Sequence, residues 1–259
     1  MPPSPRDDLG TVLALAGPPR RVVSLVPSLT EAVAVTVPGV LVGATDWCVH
    51  PADLAVTRVG GSKYPSVGAV RELRPDLVLA NVEENRREDI EALRTHGVPV
   101  WVTYPRTLGA ALDSLARLLA VLGGGRPGWL REARAIWAAP EPVPVRARRA
   151  VVPVWRKPWV VLGAGTFAGD LLRRLGVRHL YADAGRRYPR PPLDQIRVRR
   201  PDLVVLPDEP YPFTDSDGPE AFPGVPCALV SGRHLTWYGP SLVEARAVLA
   251  AQLSATIVS

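Results

Sequence analysis

Four of the seven tryptophans, Trp47, Trp155, Trp159 and Trp237, fall in segments that read as loops, whereas Trp101 lies in a strand and Trp129 and Trp137 in helical stretches. Large aromatic faces gathered on loops suit a flat, wide, mostly apolar ligand with a few polar groups at its rim. His50, Arg156 and Tyr238 stand beside them as polar rim candidates. A metal clip is a second chemistry to weigh. Asp46, Cys48 and His50 alternate, which places them on one side of an extended loop stiffened by Pro51. Each has a plain alternative: His50 can bond to a turn, and Cys48 can be a small buried hydrophobe. No metal site is assigned on this pattern alone. Glu83 and Glu84 read as caps for a helix over Glu88 to Arg94, and Asp208 and Glu209 sit in a stiff turn between Pro207 and Pro210. Gly163, Gly165 and the helix from Phe167 offer backbone donors to an anion, although GAGTF lacks the full GxGxxG.

Catalytic signatures are missing from the same inventory. There is no GxSxG elbow, no P-loop and no HExxH, and His50, His96, His179 and His234 are spread without metal spacing. Cys48 and Cys227 stand far apart, which excludes a disulfide scaffold and a CxxC site. Catalysis therefore has no support.

The chain has 259 residues, of which 47% are hydrophobic and 22% charged, which excludes a disordered protein. That length fits one large α/β unit or two lobes. Of 31 basic residues all but Lys63 and Lys157 are arginine, and the net charge is +6. The arginines are interspersed with acids, and the dense runs 146–149 and 197–200 carry no interleaved aromatics, so nucleic-acid binding is not expected. No apolar run is long enough to span a bilayer. The opening MPPSPRDDLG lacks the features of a secretory signal, so the expected location is the cytoplasm or, for a trimmed chain, the extracytoplasmic side.

The elements that must hold these loops repeat a strand–helix pattern. Arg21 to Val26, Leu41 to Ala44 and Asp76 to Ala80 read as strands in the first half, with helices over Leu29 to Val35 (capped by Ser28 or Thr30) and Val67 to Leu73. In the second half the strands are Trp159 to Leu162, His179 to Tyr181 and Asp202 to Leu206, with helices over Phe167 to Leu175 and Leu193 to Val198. Arg-Pro-Asp-Leu-Val occurs in both, at 74–78 and 200–204. Proline ends the preceding helix and the apolar run enters a sheet, a structural role. Helices over Thr107 to Leu122 and Trp129 to Ala138, stopped by Pro140, Pro142 and Pro144 and followed by an extended link from Val145 to Arg149, separate the halves. The resulting division is 1–106, a connecting region 107–150, and 151–259. Alternating strands and helices imply parallel sheets, with ligand at the carboxyl ends of the strands.

The series RVVSLVPSLTEAV, GATDWCVHP, VGGSKYP, LRPDLVLAN and HGVPVWV resembles the first lobe of the class III, helical-backbone substrate-binding proteins. These are receptors for vitamin B12, haem and ferric siderophores that serve ABC importers. VPVWRKPWVVLGAGTFAGDLLRRLG, RPDLVVLPDEPYPF and LTWYGP resemble the second lobe of the vitamin B12-binding branch. The resemblance implies an α/β protein of two Rossmann-like lobes joined by a connecting helix, with the ligand held in a cleft between them. It implies no catalysis and no cofactor, the ligand being cargo: cobalamin first, another metal-containing tetrapyrrole such as haem or a ferric siderophore next. The contacts expected on this reading are Trp47, His50, Trp155, Arg156, Trp159, Trp237 and Tyr238. A cytosolic tetrapyrrole carrier or sensor is the rival reading, and an unrecognised small-molecule enzyme on the same fold the third.

Two departures from the family stand out. The helical stretch before Pro140 is about 11 residues, about 16 Å long, so the connecting helix is short. Importer-coupled relatives carry one exposed docking acid per lobe, early in the helix before the Pro-Asp-Leu-Val strand. Asp194 matches in the second half, but Gly68 occupies the first-half position, leaving Glu72, one turn on, as a substitute.

Overall fold

β-Branched runs bounded by proline and glycine make the strands of the first unit. They are β1 (Val22–Ser24), β2 (Leu41–Ala44), β3 (Thr57–Arg58), β4 (Leu77–Asn81) and β5 (Val100–Thr103), all parallel, in the order β3-β2-β1-β4-β5. Helices α1 (Pro27–Thr36), α2 (Val67–Glu72), α3 (Arg87–Thr95) and α4 (Leu108–Val121) cross between strands or follow them. The coordinates are a computed structural model that describes residues 5–138 and 147–258. This unit takes in the chain up to Pro105, Gly109–Ala133 and the short segment Tyr238–Pro240. Val23, Leu25, Val78, Ala80, Val100 and Val102 form its core with Val70, Ile90 and Leu93 from the helices.

Helix α5 (Gly128–Ala138) leads into the second unit, which holds Arg106–Leu108, Arg134–Trp237 and Ser241 onward. Its sheet, ordered β12-β11-β10-β6-β9, is built from β6 (Arg148–Val151), β9 (Val177–His179), β10 (Leu203–Pro207) and β11 (Cys227–Val230) in parallel, with β12 (Thr256–Ile257) antiparallel at the edge. A separate antiparallel ribbon pairs β7 (Pro153–Trp155) with β8 (Val160–Val161). Helices α6 (Phe167–Arg174), α7 (Leu193–Val198), α8 (Gly232–Thr236) and α9 (Leu242–Ser254) complete it. Among the described residues no helix is long and apolar enough to cross a membrane.

Several sequence expectations are corrected here. The first strand of the second sheet is Arg148–Val151, not the run over Trp159 to Leu162, which forms the ribbon strand β8. Two arginines at the start of β6 hide its period, but their side chains lie at the sheet edge, where charge is tolerated. The edge strand expected over His179 to Tyr181 begins two residues earlier. Neither Ser28 nor Thr30 caps α1: Val26 is the N-cap and Pro27 supplies the preset first turn. Likewise Arg86, not Glu83 or Glu84, precedes α3, whose first turn carries Glu88 and Asp89 against the helix dipole. Helix α4, expected in a linking region, belongs almost wholly to the first unit. Pro140, Pro142, Pro144 and Val145 lie outside the described residues.

The repeated Arg-Pro-Asp-Leu-Val string plays the same part twice. Arg74 and Arg200 take left-handed conformations, with φ of 45° and 46°, ending α2 and α7 before a proline. Asp76 Oδ2 then accepts the backbone N–H of both Arg20 and Arg21 at 2.9 Å, and Asp202 Oδ2 accepts that of Arg149 at 3.1 Å. In each unit the carboxylate pins the entry to the strand that comes first in its sheet along the chain, β1 or β6. Hydrogen bonds to a charged acceptor contribute about 1.5–3 kcal/mol each. Asp76→Ala, which removes two, is therefore expected to destabilise the chain more than Asp202→Ala, which removes one; urea unfolding of the two variants checks this, and equal or negligible losses would contradict it.

Candidate ligand-binding site

In both sheets the strand order reverses beside the central strand, at β1/β4 in the first unit and β6/β10 in the second, the place where α/β sheets bind ligands at their carboxyl ends. In the first unit three loops meet at that edge, spanning Thr45 to Pro51, Gly60 to Ser66, and Val82 to Arg86. A buried set of polar side chains braces them from below. Asn85 Nδ2 donates to the carbonyls of Leu25 (3.1 Å) and Ser62 (2.9 Å), and its Oδ1 accepts the Asn81 N–H at 2.8 Å. Asn81 Oδ1 accepts the Glu83 N–H at 2.7 Å. Thr45 Oγ1 contacts Ser62 Oγ at 3.3 Å and Cys48 Sγ at 3.1 Å, and Thr30 Oγ1 donates to the same sulfur at 3.0 Å. Arg58 donates to the carbonyls of Thr45 and Cys48, while Lys63 Nζ donates to that of Glu83, joining the second loop to the third.

Above this brace the loops turn apolar surface outward beside the exposed Asp46, Lys63, Glu84 and Arg86. Trp47 is 67% exposed and Tyr64 73%, with Val49 and Val82 also exposed. The Arg86 guanidinium lies 5.0 Å from the Tyr64 ring centroid and covers one of its faces. Tyr64 was not among the expected contacts, although it lies inside the VGGSKYP motif. An exposed tyrosine between lysine and proline carries no periodic signal, and only the turn closed by the Gly60–Pro65 bridge presents it.

The triad Asp46, Cys48 and His50 is not a metal clip. The segment is a turn, not extended chain: Cys48 N–H returns to the Thr45 carbonyl and Asp46 N–H reaches Gly60. Cys48 is buried between Thr30 and Thr45, and burial pushes its thiol pKa up. Asp46 is exposed and His50 half-buried. Among the described residues no group of three His, Cys, Asp or Glu side chains is placed to hold a metal ion.

In the second unit Trp155, 45% exposed, meets Tyr211 edge-on at 5.6 Å. Arg156 is held by Asp217 and, at 2.5 Å, by Glu220, and its guanidinium sits 5.3 Å from the Trp159 ring. The Tyr211 hydroxyl donates to Asp217 at 2.7 Å and, with Arg156, holds that carboxyl below its ordinary range. Trp159 stacks on Phe213 and meets Phe222 edge-on, so it packs against its own unit's core. Trp237 is buried at the end of α8, 6.0 Å from the Arg233 guanidinium. Tyr238 is buried in the first unit, where its hydroxyl lies 2.6 Å from Asn81 Nδ2 and 2.9 Å from Thr103 Oγ1 and burial pushes its pKa up. The anion cradle expected at GAGTF is occupied by the chain itself: Gly163 N–H donates to the Arg187 carbonyl at 2.7 Å, and a Cβ at Gly163 would lie 2.3 Å from the Arg186 carbonyl.

No protein-family profile matches the chain. The Vitamin B12-binding protein of Vibrio cholerae is 23% identical over 205 residues, covering 75% of this chain and 72% of that protein. Among solved structures, the periplasmic vitamin B12 binding protein of Vibrio cholerae superposes with a TM-score of 0.71 at 18% identity, covering 92% of this chain and 97% of that one. A periplasmic heme binding protein from Pseudomonas aeruginosa gives a TM-score of 0.73 at 22% identity over 92% and 94%. The chain has the fold of these periplasmic binding proteins. Within that fold, the helix α7 carries Asp194 at its second position, with the side chain 91% exposed and 3.5 Å from Arg197. The second position of the equally long α2 is Gly68, and Glu72 is its exposed last residue.

The polar brace gives this edge its testable feature. Asn85→Ala removes three buried hydrogen bonds at about 1 kcal/mol each, so a loss of about 3 kcal/mol is expected in urea unfolding, together with greater acrylamide quenching of tryptophan. A loss below about 1 kcal/mol would show that the loops do not depend on Asn85.

Proposed function

We propose that the chain is a solute-binding protein whose cargo is a corrinoid of the cobalamin type. The observation that carries this reading is the pair of large aromatic faces, Trp47 and Tyr64, held exposed at the carboxyl edge of the first sheet by loops braced from within by buried hydrogen bonds. A flat ring system gives such faces something to stack on, and stacking needs no charged partner. The names of the relatives point the same way. Trp155, at the end of β7, plays the corresponding part in the second unit, and His50, in the same loop as Trp47, is its polar group. Arg156, Trp159, Trp237 and Tyr238 act behind the ligand surface, because each is committed to internal partners or buried. The cargo is carried and not transformed, and no cofactor takes part. Asp194 and Glu72 serve as docking acids toward the membrane subunits of an ABC importer, setting orientation and on-rate.

Haem is the second reading, favoured by the heme-binding structural neighbour; Tyr64 and His50 are the side chains able to ligate its iron. Titrating the purified protein with cyanocobalamin and, separately, with haemin distinguishes the two. Cobalamin is expected to quench tryptophan fluorescence and release heat. Trp47→Ala and Tyr64→Ala should each weaken binding by about 1–3 kcal/mol, about five- to 150-fold, while Trp237→Phe should change it by less than about twofold. Tight haemin binding without cobalamin binding would replace the corrinoid reading, and no response to either would remove both.

A further inference from the structure

The charge of the chain is unevenly divided. The second unit holds 18 of the Lys and Arg residues against 11 Asp and Glu, the first 13 against 14. Within the second unit the excess is not scattered. In a parallel sheet with crossover helices, the starts of strands and the ends of helices share one edge. At that amino edge lie Arg148 and Arg149 opening β6, Arg173 and Arg174 closing α6, Arg178 in β9, and Arg197, Arg199 and Arg200 at the end of α7.

Neighbouring contacts tie these arginines into one surface. Arg149 and Arg178 are register partners on adjacent strands. Arg149 donates to the Arg199 carbonyl at 3.0 Å, and Arg199 donates to the Leu180 carbonyl while its guanidinium lies 4.4 Å from the Tyr181 ring centroid. A hollow of about 240 Å³ opens among Arg149, Arg178, Leu180 and Asp183. The side chains of Arg173 and Arg178 are largely exposed although each is ion-paired, to Asp170 at 2.7 Å and to Asp183 at 3.0 Å, and Arg200 is exposed with no carboxylate partner among the described residues. Between Arg197 and Arg199, Val198 stands 80% exposed at the helix end. Acids pair with several of these arginines, Asp170 with Arg173 and Arg174, Asp183 with Arg178 and Asp194 with Arg197, and Asp202 accepts from the Arg149 backbone, so eight arginines meet four acids and a positive excess remains. Asp208, Asp217 and Glu220 follow β10 at the other edge.

We propose that this amino edge is a docking surface for anionic lipid headgroups. Arginines spread along an edge match a plane of phosphates better than a single ligand, since each contributes Coulomb attraction independently within a Debye length of the surface. An exposed apolar side chain set among them can enter the headgroup layer. Nucleic acid fits less well, because the aromatic of this edge, Tyr181, is buried beneath Arg199 and offers no face to a base. The surface lies opposite the carboxyl edge, so the inference stands apart from the cargo reading.

Co-sedimentation of the full chain with phosphatidylcholine vesicles, with and without phosphatidylglycerol, tests it. Binding is expected only to the vesicles containing phosphatidylglycerol and should disappear in high salt. Replacing Arg173, Arg178 and Arg200 together by Gln should weaken it at least about tenfold, and Val198→Ser by a few-fold, with helicity by circular dichroism unchanged. A control losing the same charge from the first unit, at Arg87, Arg126 and Arg131, should bind as the parent does. Equal binding to neutral vesicles, an undiminished triple variant, a control that loses binding equally, or tighter retention on a duplex DNA oligonucleotide than on vesicles would each overturn the proposal.

Discussion

The structure of the first unit's carboxyl edge depends on the side-chain amide of Asn85. It sits at the start of a helix-bound loop, buried, with one carbonyl and two N–H groups to satisfy, and an unmet polar group there would cost more than the bond it lacks. By bonding to Leu25, Ser62 and Asn81 at once it fixes the exits of β1 and β4 relative to the turn that carries Tyr64. Cys48 and Thr45 extend the brace to the Trp47 turn. With those polar groups satisfied inside, the loops hold Trp47, Val49, Tyr64 and Val82 exposed, among the charged side chains of Asp46, Lys63, Glu84 and Arg86.

The second unit solves its loop problem differently. An arginine held between two carboxylates, with aromatic rings packed around it, replaces the neutral amide network. Half-exposed ion pairs of this kind contribute little individually, so the tilt and stacking of Trp159, Tyr211 and Phe213 carry much of the order. Arginine is in excess over acid in the part of this unit before β10, and the dense runs at 146–149 and 197–200 are part of that excess. Folding brings the ends of α6 and α7 to one edge.

Much of the fold was legible from the residues. The runs at Leu41 to Ala44 and Leu193 to Val198 match the observed elements, because each is apolar on one period and bounded by glycine or proline. The repeated Arg-Pro-Asp-Leu-Val string reads correctly as structural, its aspartate bonding to backbone in both units. β6 escaped notice because its arginines mask the period, and α9 because its alanine-rich face is nearly uniform. At the site, tryptophans in loops were visible as candidates, but burial decides which of them face outward. Trp237 and Trp159 turn inward for reasons of tertiary packing that no local pattern carries. Tyr64 was invisible for the converse reason, its exposure being made by a turn.

The central claim is that the braced loops of the first unit form a ligand surface. Hydrogen–deuterium exchange with and without cyanocobalamin tests it most directly. The account predicts that added cobalamin slows exchange in the segments carrying Trp47, Tyr64 and Val82, and at Trp155 in the second unit, while the amino edges of both sheets keep their rates. Slowed exchange confined to other segments, or none with saturating cobalamin, would contradict it.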